Sequence, residues 1–85
     1  MTGDPVGDRT SMTYAGETGR YRIVTDRNAL FSFYDAEGND ATSRIEGRYG
    51  QILVDVTKLE PGTWRLVISN RLVADDRCEI SFIVK

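Results

Sequence analysis

Thirteen carboxylates and no histidine set the chemistry open to this chain. With a single cysteine, Cys78, and no imidazole, it can assemble neither a Ser-His-Asp nor a Cys-His site, and a structural zinc site lacks its ligands. Carboxylate pairs remain. Asp55 and Glu79 fall on the outward faces of predicted strands, where water keeps them ordinary acids; a raised pKa needs burial. "DAEGND" at 35–40 crowds the oxygens of Asp35, Glu37, Asn39 and Asp40 around Gly38, a density that invites calcium. The spacing lacks the terminal bidentate glutamate of an EF-hand loop, and the same residues suit a hairpin turn. The expectation is therefore no catalytic residue, no metal and no cofactor.

Any such side chains must be held by strands. From Met12 onward the pattern is period-two alternation broken by Gly, Asn and Asp clusters, and no window keeps helical spacing. Strands are predicted near 11–15, 20–25, 29–35, 41–46, 51–57, 63–70 and 77–85. The inward sets are Tyr21 and Ile23; Ala29, Phe31 and Phe33; Ile52, Val54 and Val56; Trp64, Leu66 and Ile68; and Cys78, Ile80, Phe82 and Val84. One-sided burial in antiparallel strands requires two sheets face to face. The predicted fold is an all-β, immunoglobulin-like antiparallel sandwich of about seven strands, with a small barrel as the alternative. Residues 1–11, polar and turn-rich, read as a linker or loosely held first strand, leaving 12–85 as the domain.

Composition narrows the function classes. Eighty-five residues make one domain with a thin core, and no apolar run exceeds three residues, so no membrane-inserted helix is expected. Eleven basic and thirteen acidic residues, interspersed, leave a net charge of −2 and no field to attract nucleic acid. "MTGDPVGDRTS" lacks the basic-then-apolar order of a signal peptide. A cytoplasmic protein is expected if Met1 is the native start, and a secreted or cell-surface one if the chain is a domain of something longer.

Outward arginines at 20, 22, 44 and 65 lie among Glu46, Asp55 and Glu79, and cross-strand charge pairing accounts for them. Leu30, Tyr34, Leu53, Val67 and Ile83 are different: apolar groups opposite the core face imply a patch covered by a neighbouring domain, a second copy or the N-terminal segment.

In "LEPGT" at 59–63, Pro61 fixes φ and Gly62 accepts positive φ, which predicts a type II turn. Leu59 is placed to plug the end of the sandwich. Trp64 falls at the sheet corner, where Tyr in immunoglobulin sandwiches satisfies a nearby carbonyl; its indole N–H can do the same.

The order "DPVGD" at 4–8, "FSFYDAEGN" at 31–39, "VDVTKLEPGTWRLVIS" at 54–69 and "SFIVK" at 81–85 resembles the C-terminal sorting domain (type A) of the bacterial type IX secretion system. More weakly, it resembles other small secreted Bacteroidetes immunoglobulin-like domains. Pro5 matches the leading proline, Tyr34, Asp35 and Gly38 the hairpin, Asp55, Leu59, Gly62 and Trp64 the turn, and Lys85 the terminal lysine. Asp4 stands where Asn is usual and Trp64 where Tyr is usual. The resemblance implies a non-catalytic domain at the end of a cargo protein, recognised by outer-membrane export machinery and then removed by a sortase-like peptidase. The outward apolar residues and the last strand through Lys85 would be the recognition surface. The alternative is a stand-alone structural or assembly module, a particle subunit or an oligomer formed through an edge strand. A carboxylate hydrolase lacks both a nucleophile-base pair and room for a pocket.

Overall fold

The computed structural model describes residues 6–15 and 19–85. Seven strands form: β1 (Ser11–Ala15), β2 (Arg20–Val24), β3 (Ala29–Tyr34), β4 (Glu46–Arg48), β5 (Gln51–Asp55), β6 (Gly62–Asn70) and β7 (Arg77–Val84). They make two antiparallel sheets, one ordered β1-β2-β5-β4 and the other β3-β6-β7. The protein is an all-β sandwich. Alternation dictates this result, because the longer strands each have one apolar face and the pleat turns that face to one side.

The inward residues of both sheets meet in one core. Ile23, Phe33, Ile52, Val54, Leu66 and Ile68 are fully enclosed, with Trp64 and Phe82 nearly so. Aromatic rings pack both within a sheet and between the two layers. Phe33 stacks on Trp64 with centroids 5.4 Å apart, and Tyr21 meets the edge of Phe82 at 4.9 Å. Such pairs add to plain area burial.

Four expectations are revised, three of them where a side chain hydrogen-bonds the backbone. The strand expected at 41–46 is replaced by a bridge between Tyr34 and Asp40, a 3-10 turn at Thr42–Arg44 and the short β4. The Asp40 carboxylate accepts from the Thr42 N–H at 2.8 Å, and the Thr42 hydroxyl accepts from the Phe33 N–H at 3.0 Å. Local side-chain bonds of this kind divert the backbone from the ladder. In the same way the Asp55 carboxylate accepts from the Thr57 N–H at 3.0 Å, ending β5 early in a 3-10 turn at Val56–Lys58.

The third revision concerns the N-terminal segment read as a linker. Val6–Arg9 forms a helical turn, α1, and Val6 is completely buried. The Val6 N–H donates to both carboxylate oxygens of Asp76, at 2.7 and 2.9 Å. The Thr10 hydroxyl bonds Val6 O and the Thr25 hydroxyl, and Arg9 pairs with Asp26 at 2.7 Å. This end of the sandwich is closed by that turn.

The fourth is the turn before β6. Gly62 has φ +141°, far from the +80° or so that a type II turn needs at that position. It is instead the first residue of β6, paired with Val84, and a Cβ there would stand 2.6 Å from the Ala36 Cβ. Glycine is required, for conformation and for space.

Candidate interaction surface

The carboxylates singled out for chemistry are occupied by the fold. Asp35 accepts from the N–H groups of Glu37 and Asn39, both at 2.9 Å, and the Asn39 amide bond is the main cause holding its pKa below the usual value. Asp40 is lowered by its bond from Thr42, and Asp55 chiefly by the Thr57 hydroxyl. Among the described residues no cluster of acids, Cys or His is arranged to hold a metal. Asp55 reaches Arg20 at 3.5 Å on one sheet while Glu79 pairs with Arg65 at 2.8 Å on the other. They share no site. The Cys78 thiol is half buried, and desolvation raises its pKa, which disfavours the reactive thiolate.

The corner at Trp64 is closed on itself. Its indole N–H donates to the Glu60 carbonyl at 2.9 Å, and Leu59 is buried behind Pro61. Arg44 lies over the ring at 5.2 Å while its guanidinium takes both Glu60 carboxylate oxygens, at 2.7 and 3.0 Å, and the Lys58 carbonyl at 2.6 Å. The bond from Arg44 is the largest cause holding Glu60 below its ordinary pKa.

The outward apolar residues do not form one patch. Val67 is buried on the outer face: it occupies the central strand between Ser32 and Glu79, with cover from both sides. Next to it Arg65 lies over the Tyr34 ring at 5.3 Å and pairs with Glu79, so Tyr34 is also engaged within the sheet. Val67 is thus corrected from an exposed partner contact to a buried position, while Tyr34 is half-buried beneath Arg65. Ile83 and Lys85 are exposed on and just beyond β7. Leu30 and Leu53 are exposed on different sheets but flank one feature, the β4–β5 hairpin.

That hairpin joins Arg48 to Gln51 through two residues, Tyr49 at φ +53° and Gly50 at φ +80°. Positive φ at both positions is the type I′ turn, usually built from Asn-Gly. Gly50 is fixed by packing: its carbonyl accepts from the Thr25 N–H at 2.7 Å, and a Cβ would fall 2.7 Å from Thr25 O. Tyr49 is not fixed in this way. It is 75% exposed, and a bulky residue in the left-handed region costs roughly 1–2 kcal/mol.

Two grooves meet at Tyr49. One, of about 650 Å³, runs over the outer face of the four-stranded sheet along Arg22, Glu46, Gln51 and Leu53; the other, of about 230 Å³, enters between β3 and β4 past Leu30, Phe31 and Ile45. In the first, Arg22, Leu53 and Glu46 stand in one cross-strand row, an apolar side chain between opposite charges. Arg22 also donates to the Gln51 side chain at 2.9 Å. The surface offers a projecting aromatic ring, two apolar flanks and a charged rim.

No family model, curated protein or solved structure matches this chain. The assignment of a role therefore rests on the geometry and on the motif order. Tyr49 is the residue that alternation fails to single out; its signal is the "RYGQ" sequence, a Tyr-Gly pair between two alternating segments where Asn-Gly is the expected chemistry.

Proposed function

We propose that this chain is a non-catalytic, immunoglobulin-like interaction module that docks a protein partner through the Tyr49 hairpin and its flanking grooves. One observation carries the proposal: a large aromatic side chain is held in solvent at a strained backbone position that the fold does not require. The immunoglobulin-like reading is supported by strand order, since β1-β2-β5-β4 against β3-β6-β7 corresponds to the ABED and CFG sheets of constant-type domains. A non-catalytic role is supported by carboxylates engaged in turns and cross-strand pairs.

The most specific form of this reading is a C-terminal sorting domain for protein export, supported by the motif order that ends in "SFIVK". The partner is then outer-membrane export machinery and the destination the cell surface or medium. Fusing the 85 residues behind a periplasmic reporter, in a host carrying a type IX system, tests it. Export of the reporter, reduced severalfold by Tyr49→Asn, is the expected result. Retention of the unaltered fusion in the periplasm contradicts the sorting role, and export indifferent to Tyr49 contradicts the hairpin as docking surface.

A second reading, an assembly module built from copies of itself, is favoured by β7, an eight-residue edge strand with no further strand beside it among the described residues.

A further inference from the structure

The two edges of the three-stranded sheet are finished differently. Along β3 the backbone of Phe33 is engaged by Ala41 N–H at 2.7 Å and by the Thr42 hydroxyl, so the segment 40–42 covers that edge. Strand β7 pairs with β6 in unbroken register from Arg77 to Val84, and among the described residues no hydrogen bond engages its other side. It carries no proline, no bulge and no inward charge, the usual devices that protect an edge.

The sandwich is also open along this border. Ile80 and Val84 point inward yet are half exposed. Across the gap, Met12 and Tyr14 of β1 are paired with inward-facing Ile23 and Tyr21, and both remain about half exposed. Tyr14 stacks on Tyr21 at 4.4 Å, and Tyr21 in turn meets Phe82 of β7. Apolar side chains from both layers thus line the β1–β7 border, only partly covered by the described residues.

The strand that fits there is another β7. Directly opposed residues in an antiparallel pair share a face, so a symmetric pair of β7 strands must have its twofold axis at a residue. With the axis at Phe82, Glu79 lies opposite Lys85 of the other copy, twice over; Ser81 faces Ile83, and on the inner side Ile80 faces Val84. Moving the axis to Ser81 sets Arg77 against Lys85, and moving it to Ile80 leaves Glu79 facing Ser81. The Phe82 register alone of these three unites opposite charges with mutual cover of the half-exposed inward residues. The Glu79 carboxylate can take part through Oε2, because Arg65 engages only Oε1.

We propose that two copies of this chain associate β7 to β7, antiparallel about Phe82, joining their three-stranded sheets into one. The occupant of the open edge is a second copy, selected by the reciprocal Glu79–Lys85 pairs. The inference is independent of the Tyr49 surface, which lies at the opposite border of the sandwich.

Sedimentation equilibrium of the full chain tests it. The unaltered protein is expected to show concentration-dependent dimerisation from a 9.6 kDa monomer. Glu79→Lys alone and Lys85→Glu alone each set two like-charge pairs across the dyad and should weaken the dimer about tenfold or more, an effect that narrows at high salt. An equimolar mixture of these two variants restores both pairs and should regain the original mass, as should the double variant. This rescue separates the intermolecular charges from the loss of the Arg65 contact, which the mixture does not repair. A chain that stays monomeric to millimolar concentration overturns the proposal, showing the edge is closed by its own segment or reserved for a foreign strand. So does a dimer indifferent to both charge reversals, or one that the mixture fails to rescue.

Discussion

Trp64 and Tyr49 are the two large aromatic residues beside the turns that bracket β5, and the fold treats them in opposite ways. Trp64 is 3% exposed; its ring stacks on Phe33, its N–H has a carbonyl, and Arg44 clamped to Glu60 covers its face. Tyr49 is held in the left-handed region with its ring in water. The indole N–H of the first is answered from within the chain, whereas the second holds an unfavourable backbone conformation with its side chain mostly exposed. Residues of the first kind explain stability, and those of the second kind motivate the proposed docking surface.

This contrast is broken most forcefully at Trp64. Trp64→Ala should lower the unfolding free energy by about 3–5 kcal/mol, read from urea denaturation, because it empties a core site and leaves the Glu60 carbonyl without its donor. For a thin core that is a large share of the total. Val6→Ala comes next at roughly 2 kcal/mol, since the side chain is fully buried at the closed end while its backbone bond to Asp76 is unchanged. A change below a few tenths would mean α1 does not contribute to the core.

Acid sharpens the comparison. Glu60, Asp35 and Asp55 are all held below their ordinary values of 4.5, 3.8 and 3.8 by bonds to their ionised forms, from Arg44, the Asn39 amide and the Thr57 hydroxyl respectively. A depressed folded-state pKa stabilises above the unfolded value and loses that contribution as pH falls through the folded one. The melting temperature should therefore be level above about pH 5 and decline below it, and Arg44→Ala should flatten the Glu60 part of that decline. Because these groups are exposed, the effect is smaller than that of either core substitution.

Most of the sandwich was legible because its sequence is locally consistent. Ile52 and Val54, or Trp64, Leu66 and Ile68, alternate with polar residues, and a pleated strand has no other way to bury them. Alternation is blind to side chains that bond backward. Asp40, Thr42 and Asp55 each redirect a segment that hydropathy alone makes a strand. A lone Val6 in a polar stretch has no period to reveal it, and its burial depends on Asp76, seventy positions away. The candidate surface was half visible. Leu30 and Leu53 stand out as apolar residues on the wrong face, and so did Val67, although its place in the central strand covers it. Tyr49 escaped because hydropathy carries no information about φ, the property that makes it unusual.

The central claim is that Tyr49 is displayed rather than structural, and the unfolding free energy of Tyr49→Asn tests it without knowledge of any partner. Asparagine tolerates the left-handed region and restores the usual type I′ pair with Gly50. This variant is expected to be as stable as the unaltered protein or more stable by up to about 1 kcal/mol. A loss of more than about 1 kcal/mol would show that the ring supports the fold, and the hairpin would then carry no claim as a docking surface.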